Sequence, residues 1–212
     1  MKDIPVFTTE NGVANLVLKE IPYSAIAYVR ILDTLSPEQL LEECVSFCRV
    51  VGAEKILATG HPALECYPLY TSIWEMDRYT EGLPETDAVA IPVADETLTE
   101  WRDIYNTAMR HVDNASYMSI QESKKMLCDY SLYYIYRNDK LLGIGMVSGN
   151  TIEAVASLVP GAGQDILLSL TRLVAADSVS LQVASTNLRA IRLYEKLGFF
   201  KKREISRWYK IF

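Results

Sequence analysis

The stretch NLRAIRLYEKLGF, residues 187–199, says more about the fold than any other part of the chain. Asn187 suits a helix N-cap, where its side-chain oxygen takes a backbone N–H left free by the first turn. Ala190, Leu193 and Leu197 recur at three- and four-residue spacing, so they share one face and turn it toward a sheet. Gly198 fits the left-handed residue that follows a helix end, and Phe199 re-enters the core. The spacing therefore predicts a helix over residues 187–197 with a glycine stop. Tyr194 is left over. Beside the apolar stripe it either covers the core edge with its hydroxyl in water or takes part in chemistry.

Outward from this helix, strands and helices alternate. Residues 179–184 read as a strand, and 164–176 as a helix whose apolar stripe is Ile166, Leu167, Leu170, Leu173 and Val174. Pro160-Gly161-Ala162-Gly163 is a turn, and residues 151–159 a strand. Residues 132–136 and 141–148 form a hairpin around Arg137-Asn138-Asp139-Lys140. Ser119…Glu122 and Thr97…Glu100 each read as a capping box opening a helix. Residues 88–93 and 200–212 are strands. A hairpin inside a βα-alternating chain implies an α/β (α+β) fold, a mixed central sheet with helices on both faces.

Residues 78–87 (RYTEGLPETD) carry charges, one Gly and one Pro without periodicity, and read as a linker. Before them, strands over 13–18 and 26–32 precede a helix that starts at Ser36-Pro37 and stops at Gly52. A buried strand over 55–59, an ambiguous stretch 62–70 and a strand over 71–76 follow. This order is a shorter echo of residues 151–212, so a partial tandem duplication is expected, with domains at 1–80 and 88–212.

The helix of residues 187–199 resembles the last helix of the GNAT superfamily of N-acetyltransferases, N-x-x-A-x-x-L-Y-E-K-L-G-F, at every fixed position. The hairpin YYIYRNDKLLGIGMV also resembles that family's second and third strands. The likeness covers residues 88–212, and residues 1–80 look like a truncated half of the same fold. The resemblance implies direct acetyl transfer from acetyl-CoA, without a covalent enzyme intermediate or a metal, to a primary amine on a small molecule or peptide. It implies that Tyr194 stands beside the coenzyme sulfur and returns a proton to the leaving thiolate. It also implies a base on the fourth strand, where Glu153 is the one acid of residues 151–159.

The family grips the coenzyme pyrophosphate with a Gly-rich turn at a helix start, where free N–H groups and the positive helix end favour phosphate. The corresponding residues here are Leu158, Val159, Gly161, Ala162, Gly163 and Gln164, with Asn187, Ala190, Tyr194 and Lys196 from the last helix. This turn is short and lacks the Arg or Gln that usually precedes the glycines, and Asp165 adds a negative charge. Those departures leave a second expectation open, a non-catalytic module of this fold that binds a ligand or partner. His111 and Asp113, between two helices, are candidates to line an acceptor pocket, as is part of the Tyr133, Tyr134 and Tyr136 cluster.

Composition removes other classes. The 212 residues are 50% hydrophobic and 23% charged, with 10 Gly and 8 Pro, so the chain is neither disordered nor fibrous. Lys and Arg number 21 against 27 Asp and Glu, a net charge of −6, with no long basic block, which argues against nucleic acid. No apolar run approaches the roughly 18 residues of a membrane span, and no signal pattern opens the chain. The four Cys are too few for a disulfide framework at this length. A metal site on Cys44, Cys48, His61 and Cys66 would lack paired, close-spaced ligands. A cytoplasmic location is expected.

Overall fold

Pro37 has no N–H to leave unsatisfied, and it opens the helix of the N-terminal part, α2 (Pro37–Val50), which Gly52 terminates at φ +98°. The computed structural model describes residues 5–110, 112–113 and 115–212. Within them the chain divides into two units: Met1–Ile73 with Glu204–Phe212, and Trp74–Arg203. Residues 204–212, read from sequence as the end of the C-terminal half, therefore group with the first unit.

The first unit contains β1 (Val6–Thr9), β2 (Gly12–Val17), the short α1 (Ile21–Ser24), β3 (Ile26–Thr34), α2 and β4 (Lys55–Thr59). A 3-10 turn, Pro62–Cys66, precedes β5 (Leu69–Tyr79), and β11 (Phe200–Lys210) closes the chain. The unit boundary cuts β5 and β11. In the first unit β2 runs antiparallel to β1 and β3, β3 parallel to β4, and β4 antiparallel to β11. Leu40, Leu41, Cys44 and Cys48 of α2 pack with Ala27, Val29 and Ile56 of the strands. Burial lifts the Cys44 thiol to about 12 and Cys48 to about 11, so both behave as small core groups. Among the described residues no group of three or more metal-ligating side chains comes together.

The second unit adds β6 (Val89–Pro92), α3 (Leu98–Met109), α4 (Ile120–Asp129), β7 (Ser131–Arg137), β8 (Lys140–Ser148) and β9 (Thr151–Ser157). Then come α5 (Gly163–Thr171), β10 (Ser178–Ala184) and α6 (Leu188–Lys196). Its strands lie in the order β5-β10-β9-β8-β7-β6. The ladders β6–β7, β7–β8 and β8–β9 are antiparallel and β9–β10 is parallel, so the sheet is mixed. Two-residue alternation along β7 sends Leu132 and Tyr134 to the α3 side, with Trp101 and Tyr105, and Ile135 to the α5 side, with Ile166 and Leu170. Helices thus cover both faces. Asn138 and Asp139, at φ +49° and +58°, make the tight turn of the expected hairpin.

Three local expectations change. The Thr97 hydroxyl donates to the Ala94 carbonyl (3.2 Å) instead of capping α3, whereas the Ser119–Glu122 box forms in both directions (2.8 and 3.2 Å). Helix α5 stops at Thr171, and Leu173 and Val174 close tighter i→i+3 bonds instead of continuing it. Residues 78–87 are not a free linker. Arg172 donates to the Pro84 and Thr86 carbonyls (3.0 and 2.8 Å), and the buried Arg78 guanidinium donates to the carbonyls of Gly82 (3.2 Å) and Leu197.

Candidate active site

The site starts from a fork. Strands β9 and β10 pair as Thr151↔Ser180 and Ile152↔Leu181, and the ladder goes no further. The rest of β9 has no partner on that side, so the two strands part toward their C-terminal ends. A β-bulge marks the same place. Met146 opposes Ala154 and Val147 opposes Ile152, which leaves Glu153 as the extra residue on β9. The bulge turns Ile152 into the α5-side core and Ala154 into the α3-side core.

Beyond the bulge lies a cavity of about 450 Å³. Its floor is β9 and the following loop, from Val155 through Leu158, Val159 and Gly161. Its walls are Gly163 and Gln164 of α5, Asn187, Ala190 and Tyr194 on α6, and Met109 and Val112 at the end of α3. Two helix N-termini therefore open onto one space. In α5 the first amide to find an intrahelical carbonyl is Ile166, on Ala162 (3.1 Å), so the amides of Gly163, Gln164 and Asp165 precede the first such bond. Gly161 takes φ +86° with nothing within 4 Å of where a Cβ would stand, so the backbone lies open there. Free amides and positive helix ends at one cavity are an arrangement that favours an anion.

Local sequence explains the geometry of α6. The Asn187 side chain accepts the Ala190 N–H (3.1 Å). At the other end the Phe199 N–H reaches the Tyr194 carbonyl (2.9 Å) and the Gly198 N–H the Glu195 carbonyl (3.0 Å), with Gly198 at φ +84°. This glycine stop, with the Arg78 guanidinium on the Leu197 carbonyl, fixes the helix end three residues beyond Tyr194. The Tyr194 ring stacks obliquely near Phe199, centroids 5.9 Å apart. Burial pushes its phenol up to about 12.

The cavity gathers Leu158, Val159, Gly161, Gly163, Gln164, Asn187, Ala190 and Tyr194 of the expected site residues. Three others lie outside its lining. Ala162 is buried, and its N–H is already bonded to the Val159 carbonyl (3.1 Å). Lys196 touches the site through Gln164, donating from Nζ to Oε1 (3.2 Å). Glu153 sits on the bulge, and burial of the strand around it raises its carboxyl above the ordinary value. Asp113 accepts a hydrogen bond from the Thr186 hydroxyl (2.7 Å), and His111 lies outside the described residues.

Asp165 does not oppose an anion as the sequence suggests. Its Oδ2 pairs with Arg137 (2.9 Å) and its Oδ1 accepts from the Thr86 hydroxyl (3.0 Å), so its charge is compensated outside the cavity lining. Sequence reading missed Arg189, which lines the cavity at the start of α6. The signal was available: a cation two residues after the N-cap of the motif helix lies in the first turn, on the end that meets the turn before α5.

No family model matches the chain, and no curated protein matches it in sequence. Solved structures do match. A GCN5-related N-acetyltransferase from Anabaena variabilis is 10% identical at a TM-score of 0.63, over 94% of this chain and 59% of that one. One from Kribbella flavida is 13% identical at 0.57, over 98% and 88%. A tandem GNAT protein from the clavulanic acid biosynthesis pathway is 13% identical at 0.54, over 94% and 78%. At these identities the likeness speaks for architecture, and it agrees with the motif helix and the forked strands: the chain has the fold of the GCN5-related N-acetyltransferases.

Proposed function

We propose that the protein is an acyltransferase that moves an acetyl group from acetyl-CoA to a primary amine by direct transfer. The observation that carries this reading is the fork between β9 and β10, opening onto a cavity that holds Tyr194 and two helix N-termini. Unpaired β9 amides suit the amide-rich arm of the coenzyme, and the open backbone at Gly161 suits its diphosphate. These residues fit the coenzyme, which when bound supplies the acetyl group as a thioester. Amides of β9 at the fork would polarise the thioester carbonyl, and the cavity would hold amine and carbonyl in line.

In this reading the Tyr194 phenol hydrogen-bonds the leaving sulfur and returns its proton. A phenol near 12 facing a solvated thiol near 8.5 would transfer uphill by about 5 kcal/mol. A thiolate in the same cavity loses its hydration too, and burial alone carries Cys48 of this chain to about 11. With both groups buried the pair returns to near balance. Glu153, with its raised carboxyl, would accept the amine proton through water from the bulge. The chain would divide into a truncated GNAT-like part, residues 1–80, and an acetyltransferase part, residues 88–212. A small-molecule amine is the preferred acceptor, and the cytoplasm the preferred location. No helix among the described residues is long and apolar enough to cross a membrane.

One observation favours a non-catalytic ligand-binding module instead: the described cavity lining holds no Asp, Glu or His. Calorimetric titration with acetyl-CoA, followed by thiol-release assays over a panel of amines, separates the two. Binding with turnover supports the enzyme. Binding without turnover supports the module. Absence of binding defeats the enzyme and leaves a module for another ligand or partner.

A further inference from the structure

A second cavity, of about 300 Å³, lies wholly within the first unit. It occupies the place that the active-site cavity occupies in the second. In the second unit the cavity lies between the helix that follows β9 and the helix that follows β10. In the first it lies between α2, which follows β3, and the 3-10 turn after β4. Both strand pairs are parallel.

The chemistry of the two places is opposite. Strands β3 and β4 stay paired over five consecutive residues, from Ile26↔Lys55 to Arg30↔Thr59, so no fork exposes strand amides. The helix opens on Pro37, which offers no N–H, instead of on a glycine turn. Among the described residues no Lys, Arg or His lines the space. Its floor is apolar, with Leu41, Leu64 and Ile211, and Tyr67 supplies an aromatic wall. Its charged groups are Glu38 and Glu42, one turn apart on the same face of α2. Neither is paired among the described residues, and like charges at this spacing repel.

We propose that this cavity is a binding site for a small organic ammonium with an apolar body. The cation relieves the Glu38–Glu42 repulsion and meets the Tyr67 ring, and the hydrocarbon covers the half-buried Val45 and Ile211. A phosphate-bearing ligand meets two carboxylates and no donor cation, so the coenzyme is excluded. The proposal does not depend on the acetyl-transfer reading, since it concerns binding in the other unit.

The test is amide NMR of the full chain titrated with n-butylammonium chloride, with n-butanol and sodium chloride of equal ionic strength as controls. Saturable shifts confined to residues 37–45 and 63–67 are expected with the ammonium alone. Glu38→Gln with Glu42→Gln should weaken the apparent affinity about tenfold, each carboxylate contributing about threefold at an exposed rim. The spectrum elsewhere reports that this variant is folded, and single Glu42→Gln is the fallback. Three results each overturn the proposal: no saturable shift, equal shifts with n-butanol, or an affinity unchanged by the substitutions. Shifts of the same residues with CoA would replace it with a coenzyme site.

Discussion

Arg189→Glu is the most searching perturbation of the proposed anion site. Arg189 is exposed at the first turn of α6 and lines the cavity beside Asn187 and Gly163. A screened, exposed charge acting on a diphosphate is worth about 0.5–1 kcal/mol. Removing it as Gln should weaken CoA binding about twofold to fivefold. Reversing it adds a repulsion of similar size, for a total of about fivefold to thirtyfold. The two helix N-termini, about 0.5 kcal/mol each, persist in the variant, so binding should not vanish. Calorimetry with CoA and with pantetheine, which lacks the diphosphate, isolates the effect, since pantetheine affinity should be unchanged. Raising salt should close the gap between wild type and variant. The reasoning is refuted if pantetheine weakens as much as CoA, which would mean a packing effect, or if CoA affinity does not move.

Four further outcomes follow from the same geometry. Tyr194→Phe should lower turnover about 10²-fold with melting temperature nearly unchanged; and because its phenol lies near 12, no alkaline loss of rate below about pH 11 should trace to it. Gly161→Val forces a β-branched residue to φ +86°, a strain of about 1–3 kcal/mol, so the turn should move and CoA affinity fall about tenfold in calorimetry. Burial raises the Glu153 carboxyl, so a rate that needs it ionised should climb through a midpoint above the ordinary carboxylate value; Glu153→Gln should remove that limb from the pH–rate profile, and an unchanged limb removes Glu153 from the mechanism. Asp165→Asn should leave CoA affinity unchanged, because Arg137 already compensates the charge; tightening by several fold would show that Asp165 does face the ligand.

Much of the second unit was legible because its signals are local. Asn187, Gly198 and the apolar spacing between them define α6 within one helix, and Asn138-Asp139 define the hairpin within one turn. Tyr194 in the motif helix, and Gly161 and Gly163 in the turn before α5, stand in two short local patterns that the fold brings to one cavity. The rest depends on distant partners. Asp165 looked repulsive until Arg137, 28 residues away, was placed against it. Residues 78–87 looked like a linker because the residues that tie them down, Arg172 and Asp165, lie far along the chain. Thr97 matched a capping pattern, but the 3-10 turn ahead of α3 engages its hydroxyl first. The bulge at Glu153 leaves no trace in the sequence, because it is a register between two strands.

The Arg78 guanidinium on the Leu197 carbonyl makes α6 a lever with a fixed end. Any tilt of that helix pivots at its C-terminus. At 1.5 Å per residue, Tyr194 stands about 4–5 Å from the pivot and Asn187 about 15 Å. A rocking motion that shifts the Asn187 end by about 1 Å therefore shifts Tyr194 by only about a third as much. The end that faces the Gly161 turn can give way while the Tyr194 hydroxyl holds its position.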